Sequence, residues 1–268
     1  MEVNRLLIFD LKGSLAHFRK FYTSSSSLSY SFPPRTTLIG IVAAVLGKER
    51  DSYYEELDCS ACKTGLSIRS PIRKIMQTVN YIRTKEEDGF TKTQGVIKSF
   101  IRKQINKYPT PIELVAPSKP NDKIAYRVYF YHSNGETMDG VCSMLQNNKS
   151  YYPVFLGISE FIANIEFVAD VPSKNIIKHK TEDTADIITV CNSEYVTEFE
   201  FEQSGESLQY IEEKMPLEFA SGRVIKRTAS FIHEKNQKSI KARLNIPYLE
   251  VSYTYKEQSL KENITFMD

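Results

Sequence analysis

The chain opens with an apolar run that predicts a strand buried on both faces. Residues 3–11 contain an unbroken apolar run of four residues from Leu6, with no alternation of polar and apolar positions. The residues that follow show no regular spacing of apolar positions until residue 36. A helical repeat then begins after Thr36 or Thr37, either of which can cap a helix, and the repeat ends at Gly47. The pattern therefore predicts a strand, an irregular crossover and a first helix.

Further strands and helices are predicted up to residue 171. The strands fall at residues 66–82, 124–132, 151–155 and 164–171, and Pro71 favours a bend or an edge in the first of them. Residues 109–120 form an extended stretch that four prolines punctuate. The helices fall at residues 96–105, within a basic polar stretch, and at residues 137–146, behind Asn134 and Gly135.

The order of these elements suggests a fold class. Up to residue 171 it is β-α-β, a long insert, and then β-α-β, which is the ferredoxin-like arrangement that RNA-recognition folds also use. Beyond Pro172 the chain shows short strands and turn residues without a long helix. We therefore predict an α+β protein with a ferredoxin-like domain at residues 1–171, an insert at about 72–123, and a smaller β-rich region at residues 172–268.

Composition excludes several classes of protein. The chain has 268 residues, of which 41% are hydrophobic and 25% charged, and these values suit one or two globular units. Four cysteines are too few for a disulfide scaffold, and the first residues do not form a signal peptide. The longest apolar stretch, residues 38–46, is too short to cross a bilayer. We therefore exclude secreted, membrane-spanning and fibrous classes and predict a cytoplasmic protein.

Charge is balanced overall but segregated along the chain. The formal net charge is +2. Residues 63–107 hold eleven basic and three acidic residues, residues 181–221 hold eleven acidic and one basic, and residues 223–243 hold seven basic and one acidic. The first basic segment would attract a phosphate backbone. The alternative is a solvated surface on which opposite charges cancel in space.

Motifs for metal or cofactor binding are weak. Cys59 and Cys62 form a CxxC pair, but Cys142 and Cys191 stand alone, so we expect buried or free thiols and no metal site. The chain also lacks a glycine-rich phosphate loop and the HExxH and GxSxG motifs, so no cofactor is expected.

Two local patterns are compatible with nucleic-acid binding. Arg127, Tyr129 and Tyr131 share one face of their strand and could stack bases, or the strand is simply half-exposed beneath helices. The basic, aromatic crossover after residue 12 returns to a helix N-terminus, where free amides favour an anion. Its alternative is an ordinary strand–helix connection.

The crossover and the first helix carry a family resemblance. They resemble the CRISPR-associated Cas-five family at Gly13, Ala16, Phe18, Arg19, Tyr30, Pro33, Pro34, Thr36, Ile39, Gly40, Leu46 and Gly47. Residues 152–160 resemble a second recurring segment of that family, although Ile158 stands where Arg is common and Phe161 where Cys is common. The resemblance is strongest over residues 6–47 and 126–160.

The resemblance implies a repeat-associated (RAMP) subunit of a type I Cascade complex, most similar to type I-B relatives. It implies a ferredoxin-like domain with a thumb hairpin between the second and third strands, where the basic insert lies. Such a subunit caps the 5′ handle of CRISPR RNA (crRNA) for antiviral defence and contacts backbone (Cas-seven type) and large (Cas-eight type) subunits. The subunit would contact target DNA only through the complex. The resemblance implies no cofactor, no metal and no membrane association.

Charge, aromatic character and the resemblance together give the candidate RNA-binding residues. Those in the crossover and at the start of the first helix are Lys12, His17, Phe18, Arg19, Lys20 and Arg35. Those in or beside the thumb are Arg69, Arg73, Lys74, Gln77, Arg83 and Arg102, and Arg127 joins them from the third strand. Contacts to phosphate and to unstacked bases are how proteins bind single-stranded RNA.

Two other functions stay open. One branch of the family cleaves precursor crRNA with a Tyr, Lys and His set, so a metal-independent endoribonuclease using His132 with Tyr131 or Tyr129 is the alternative. Tyr131 and His132 stand where that branch has a Lys-His pair, and we therefore expect a subunit that is not an enzyme. The third function is a scaffold in which the acidic residues 181–221 dock a basic partner.

Overall fold

A computed structural model of the chain describes residues 3–23, 27–82, 107–180, 184–203 and 205–268. Within these ranges the fold is mixed α/β, with two α-helices and nineteen strands. The helix predicted at residues 96–105 lies outside the described residues, as do Arg83 and Arg102.

The elements follow in two groups along the chain. The first is β1 (Arg5–Gly13), β2 (Phe18–Arg19), β3 (Ser29–Tyr30), α1 (Arg35–Leu46), β4 (Cys62–Ile68), β5 (Ile72–Ile82), β6 (Lys107–Pro117), β7 (Ile124–His132), α2 (Gly135–Gln146) and β8 (Asn164–Pro172). The second is β9 (Ile176–His179), β10 (Ala185–Ile187), β11 (Cys191–Asn192), β12 (Val196–Phe199), β13 (Glu202–Gln203), β14 (Glu206–Ser207), β15 (Tyr210–Ala220), β16 (Val224–Glu234), β17 (Ile240–Leu244), β18 (Tyr248–Tyr255) and β19 (Gln258–Ile264).

A four-stranded sheet lies at the centre of the fold, in the order β4-β7-β1-β8, and each strand is antiparallel to its neighbours. One face carries Phe9 and Phe130 and packs against α1 and α2 in a core that also includes Val42. The other face carries Ile8 and Tyr129 and packs against β18 and β19. Both faces are therefore covered, which explains the unbroken apolar run in β1.

The second group of strands forms further layers around this sheet. Six strands pair in the order β12-β17-β10-β19-β18-β9, and a three-stranded sheet has the order β11-β16-β15. Met215 and Leu217 of β15 belong to the same core as α1. The β-rich character predicted beyond Pro172 is therefore present, and its strands pack directly on the central sheet and its helices. Among the described residues, no helix is long and apolar enough to cross a membrane.

Helix α1 begins two to three residues earlier than a cap at Thr36 or Thr37 predicts. Pro34 is the N-cap residue and no side chain caps the helix, so Thr36 and Thr37 lie in the first turn and the prediction that they cap it was wrong. The predicted end is confirmed, because Gly47 has a φ of +74° and its amide donates to the carbonyl of Ala44.

Strands β5 and β6 form a two-stranded ribbon between β4 and β7 in the chain. They pair antiparallel over their full length, from Ile72 opposite Pro117 to Ile82 opposite Lys107. Pro71 separates β4 from β5, as its predicted bend requires. The base of the ribbon is joined to the crossover, since Ala16 and Val115 exchange two backbone hydrogen bonds of 2.8 and 2.9 Å. We refer to β5 and β6 as the ribbon.

Residues 151–155 are not a strand, contrary to the sequence prediction. The amides of Tyr151 and Tyr152 donate to the carbonyls of Val45 and Ala44, so this segment satisfies the open carbonyls at the end of α1 instead of pairing in a sheet. It continues to Gly157, whose φ is +97°. A β-carbon at Gly157 would lie 1.9 Å from the carbonyl oxygen of His17, which leaves no room for a side chain.

We expect Gly157→Ala to lower the free energy of unfolding by roughly 2–3 kcal/mol, because the new methyl group clashes with the backbone of His17 and disfavours the required φ. Thermal and urea denaturation measure the change. Gly135→Ala is the matched control, since nothing lies within 4 Å of its added β-carbon and the residue is helical. Equal stability of the two variants would contradict the described contact.

Candidate nucleic-acid interface

An open cleft of about 670 Å³ lies where the two family-like segments meet. Its lining comes from the crossover, from the outer side of α1, from residues 153–157, and from the hairpin of β15 and β16. A cleft of this size can enclose a small ligand or one nucleotide of a longer strand. We call it the crossover cleft.

Small residues of α1 form the floor of the crossover cleft. Thr36, Gly40 and Ala44 recur every four residues and therefore share one side of the helix. Ala43 lies on the buried side. A β-carbon at Gly40 would lie 3.2 Å from the hydroxyl oxygen of Tyr53, so the floor is wide only because these side chains are short.

Aromatic side chains line the walls of the crossover cleft. Phe21 comes from the crossover, Tyr53 and Tyr54 follow α1, Phe155 lies in the turn before Gly157, and Phe219 belongs to β15. The rings of Tyr54 and Phe219 meet edge to face with centroids 5.9 Å apart. Exposed aromatic faces beside cations are the surface on which single-stranded nucleic acids stack.

Two arginines bring positive charge to the crossover cleft. Arg19 is exposed, and its guanidinium makes a long 3.4 Å hydrogen bond to the carbonyl of Thr23. Arg223, between β15 and β16, donates from Nε to Asp51 at 2.8 Å. The hydroxyl of Tyr54 also donates to Asp51. These contacts hold the pKa of the Asp51 carboxyl below its usual value, the hydrogen bond from Tyr54 contributing most.

His17 and Phe18 support the crossover cleft from within, and the structure corrects their assignment as RNA-binding residues. His17 is buried; its Nδ1 donates to the carbonyl of Glu113 at 2.7 Å, and its Nε2 lies 3.0 Å from the hydroxyl of Ser27. Burial lowers the pKa of His17. Phe18 is also buried, with its ring edge to face against Tyr126. Both side chains fix the crossover rather than present a surface.

Arg35 is a second correction, because its guanidinium is buried at 2% exposure. It donates to the carbonyl of Cys62 at 3.1 Å and lies 3.6 Å from Asp268. Burial raises the pKa of the neighbouring Cys59 and Cys62 thiols to about 12, and all four cysteines are buried free thiols. Arg35 therefore anchors the start of α1 and does not reach the cleft as a phosphate ligand.

Arg127, Arg69 and Lys12 lie behind the central sheet and are also corrected. Arg127 forms a buried, two-pronged pair with Asp10, at 2.7 and 3.0 Å, beneath the rings of β18. Arg69 contacts Glu262 at 2.5 Å. Lys12 pairs with Glu166. The sequence placed Arg127 on an exposed strand face, Lys12 in the crossover and Arg69 beside the thumb, but all three are paired with carboxylates within the protein.

The ribbon presents a mixture of bound and exposed polar groups. Lys74 contacts Glu213 at 2.9 Å and the carbonyl of Ser29 at 2.8 Å, and Lys20 contacts the same Glu213 at 3.2 Å. Arg73 and Gln77 are exposed. The exposed members of the predicted set within the described residues are therefore Arg19, Arg73, Lys74 and Gln77, of which Lys74 is paired with Glu213, and Lys20 is half-buried.

The residues suspected of catalysis are buried. His132 lies 3.0 Å from the carbonyl of Glu56 through Nε2, and its Nδ1 accepts the amide of Asn134 at 2.9 Å. Tyr129 donates to Glu262, and Tyr131 is 5% exposed. His132 and the two tyrosines therefore do not line the crossover cleft.

The acidic and basic segments of the second half neutralise each other in space. Glu198 forms an ion pair with Arg243 at 3.2 Å, and Glu200 forms one with Lys241 at 2.6 Å. Glu218 pairs with Arg227 at 2.7 Å. The alternative in which opposite charges cancel in space thus describes these three pairs, whereas Glu202 and Glu212 are exposed.

Sequence reasoning missed Asp51, Tyr53, Tyr54, Phe219 and Arg223. The basic segment at residues 223–243 was visible, but no spacing rule links it to residues 51–54. Long-range pairing between a loop and a hairpin has no local periodicity, so only the folded chain brings these residues together.

A comparison with protein families finds one family model that matches part of the chain. The family model described as CRISPR-associated protein (Cas_Cas5) matches residues 6–113, which include the crossover, α1 and β5. Over the matched residues the chain is similar to the Cas-five family. The Cas-five resemblance seen in the sequence is therefore confirmed.

Among the solved structures that are similar to this chain, a CRISPR protein shares its fold. A CRISPR protein from Archaeoglobus fulgidus is 9% identical, with a TM-score of 0.51 and coverage of 96% of this chain and 99% of the other. A chain from a CRISPR RNA-guided surveillance complex is 14% identical, with a TM-score of 0.45 and coverage of 88% and 91%. No curated protein sequence matches the chain.

Buried and exposed arginines of this protein should differ in their effect on stability. We expect Arg127→Met to lower the free energy of unfolding by about 3–5 kcal/mol, because it leaves Asp10 buried without its partner. Arg19→Ala should change it by less than about 0.5 kcal/mol. Urea denaturation measures both, and a similar loss in the two variants would show that the burial assigned here is incorrect.

Proposed function

We propose that this Cas-five protein is a non-catalytic subunit of a type I Cascade complex, of the I-B kind, that binds the 5′ handle of crRNA. The observation that carries the proposal is the convergence of the two family-like segments. The crossover and the turn at Gly157 lie far apart in the sequence, yet the amide of His17 donates to the carbonyl of Leu156 at 3.0 Å, and both segments line the crossover cleft.

We further propose that residues 1–171 are a ferredoxin-like RAMP domain and that the ribbon is its thumb. The support is the sheet order, in which the third and first strands of the β-α-β-β-α-β series lie at the centre and the second and fourth at the edges. The ribbon leaves this sheet between the second and third strands. Its base is joined to the crossover through Ala16 and Val115, which supports the proposal that thumb and cleft belong to one RNA-binding surface.

The proposed RNA-binding surface runs from Arg19 at the crossover cleft to Arg73 and Gln77 on the ribbon. Phosphates would contact the arginines, and unstacked bases would contact the aromatic walls. Lys20 and Lys74 contribute positive potential from their positions beside Glu213. Arg83 and Arg102 remain predicted members of this surface.

A non-catalytic role is proposed because of where the suspected catalytic side chains lie. His132 uses both ring nitrogens for contacts within the protein, and Tyr129 is fully buried. A general acid or base must come within hydrogen-bond reach of its substrate, and these groups face the interior.

We also propose contacts with backbone (Cas-seven type) and large (Cas-eight type) subunits. Exposed apolar side chains are available for them, since Met76 on the ribbon is 57% exposed and Tyr151 beside α1 is 68% exposed.

Removing Arg19 and Arg73 should weaken binding of 5′-handle RNA and reduce its salt dependence. For single strands the slope of log K against log salt should fall by about 0.7 for each lost phosphate contact, or about 1.4 for Arg19→Ala with Arg73→Ala. Fluorescence anisotropy between low and moderate salt measures it. Arg243→Ala with Lys261→Ala removes equal charge from the C-terminal sheet and is the control.

An unchanged slope in the Arg19 and Arg73 variant would contradict the proposed surface. A separate incubation of the pure protein with precursor repeat RNA in EDTA tests the endoribonuclease alternative. Specific cleavage that disappears in His132→Ala would overturn the non-catalytic role.

Filling the crossover cleft should weaken RNA binding without a change of charge. Ala44→Leu places a larger side chain on the floor of the cleft, and we expect roughly tenfold weaker binding with an unchanged salt slope, because bases are excluded and phosphate contacts are not. Ala44→Ser is the control for the position itself. Full affinity in a folded Ala44→Leu variant would show that RNA passes outside the cleft.

A further inference from the structure

We infer that Arg223 binds an RNA phosphate at the crossover cleft, and that Asp51 holds its guanidinium at the rim until RNA displaces the carboxylate. This inference rests on the proposed function, because it assigns a further residue to the same cleft. It concerns the second half of the chain, which lies beyond the residues matched by the family model.

Arg223 is placed for this role by the hairpin of β15 and β16. It lies in the turn between the two strands, and Phe219 and Ile225, which are opposite each other in the hairpin, line the cleft with it. Arg19 reaches the same cleft from the crossover wall. The cleft thus has a guanidinium from each of two separate walls.

The pair formed with Asp51 is weak enough for a phosphate to replace it. The side chains of Arg223 and Asp51 are 50% and 34% exposed, and exposed ion pairs contribute little because water and salt screen them. A phosphate offers more acceptor oxygens and more negative charge than a carboxylate, and guanidinium groups bind it in a two-pronged geometry. The contact with Asp51 therefore orders Arg223 without preventing exchange.

The backbone at both ends of this pair adopts an uncommon conformation. Asp51 has a φ of +66° and Arg223 a φ of +62°, following Gly222 at +69°. A left-handed φ is unusual for arginine, and residues of this kind concentrate where a side chain has to be aimed at a ligand.

The neighbouring cations of β16 are bound differently. Arg227 pairs with Glu218, a carboxylate that also accepts the amide of Cys59 at 2.8 Å and is 6% exposed. That pair is part of the packing between β15 and the loop after α1. Among the described residues of the basic segment 223–243, Arg223 and Ile225 are the ones that line the crossover cleft.

A double-mutant cycle with 5′-handle RNA tests the inference. Arg223→Gln should weaken binding and reduce the salt slope by about 0.7. Asp51→Asn removes the competing charge, and we expect binding up to about fivefold tighter, the range set by an exposed ion pair. In the Arg223→Gln background Asp51→Asn should give no gain, because the guanidinium at the cleft is gone and Arg50, which lies 3.5 Å from the other oxygen of Asp51, does not line the cleft.

Matched controls come from Glu198→Gln and Arg243→Gln, an exposed pair at 3.2 Å on the C-terminal sheet, which should leave affinity and slope unchanged. If Asp51→Asn tightens binding equally with and without Arg223, the effect is general electrostatics and the inference is wrong. An unchanged salt slope in the Arg223→Gln variant would also contradict the inference. If instead Arg19→Ala with Arg73→Ala has no effect, the proposed function fails as well, so the two failures are distinguishable.

Discussion

The region around the crossover cleft depends on one buried carboxylate. Glu213 of β15 accepts the amide of Ser31 at 2.8 Å, and its other oxygen contacts Lys74 at 2.9 Å and Lys20 at 3.2 Å. Burial acts to raise the pKa of Glu213, but the lysines and the amide outweigh it and keep the pKa below its usual value. A buried charge is tolerable only with such partners, so the crossover, the ribbon and the C-terminal hairpin have to assemble together.

Charge segregation in the sequence becomes charge pairing in the fold. Acidic residues in and beside β12 and β15 pair with basic residues of β16 and β17. Glu213 forms ion pairs with two lysines from the first half of the chain. The few cations left exposed beside the crossover cleft are therefore the ones that define where a polyanion would bind. A local cluster, rather than the net charge, sets the site.

Elements with a strong period could be predicted, because their own residues determine them. Strand β7, the end of α1 at Gly47 and the bend at Pro71 follow from local pattern. The burial of Arg127 could not be predicted. It depends on the pairing of Arg127 with Asp10 and on β18, which covers a sheet face that the sequence pattern predicts to be exposed. The turn at residues 151–157 was misread as a strand for a similar reason, since its partners are the carbonyls at the end of α1.

The close approach of Gly157 to the backbone of His17 has a consequence for engineering this molecule. Two stretches that lie far apart in the sequence share one atomic interface with no space to spare. A chimera that exchanges only one of them with a relative would bring together surfaces that were not shaped for each other. Grafting a new specificity onto this scaffold therefore requires transplanting both stretches as a unit.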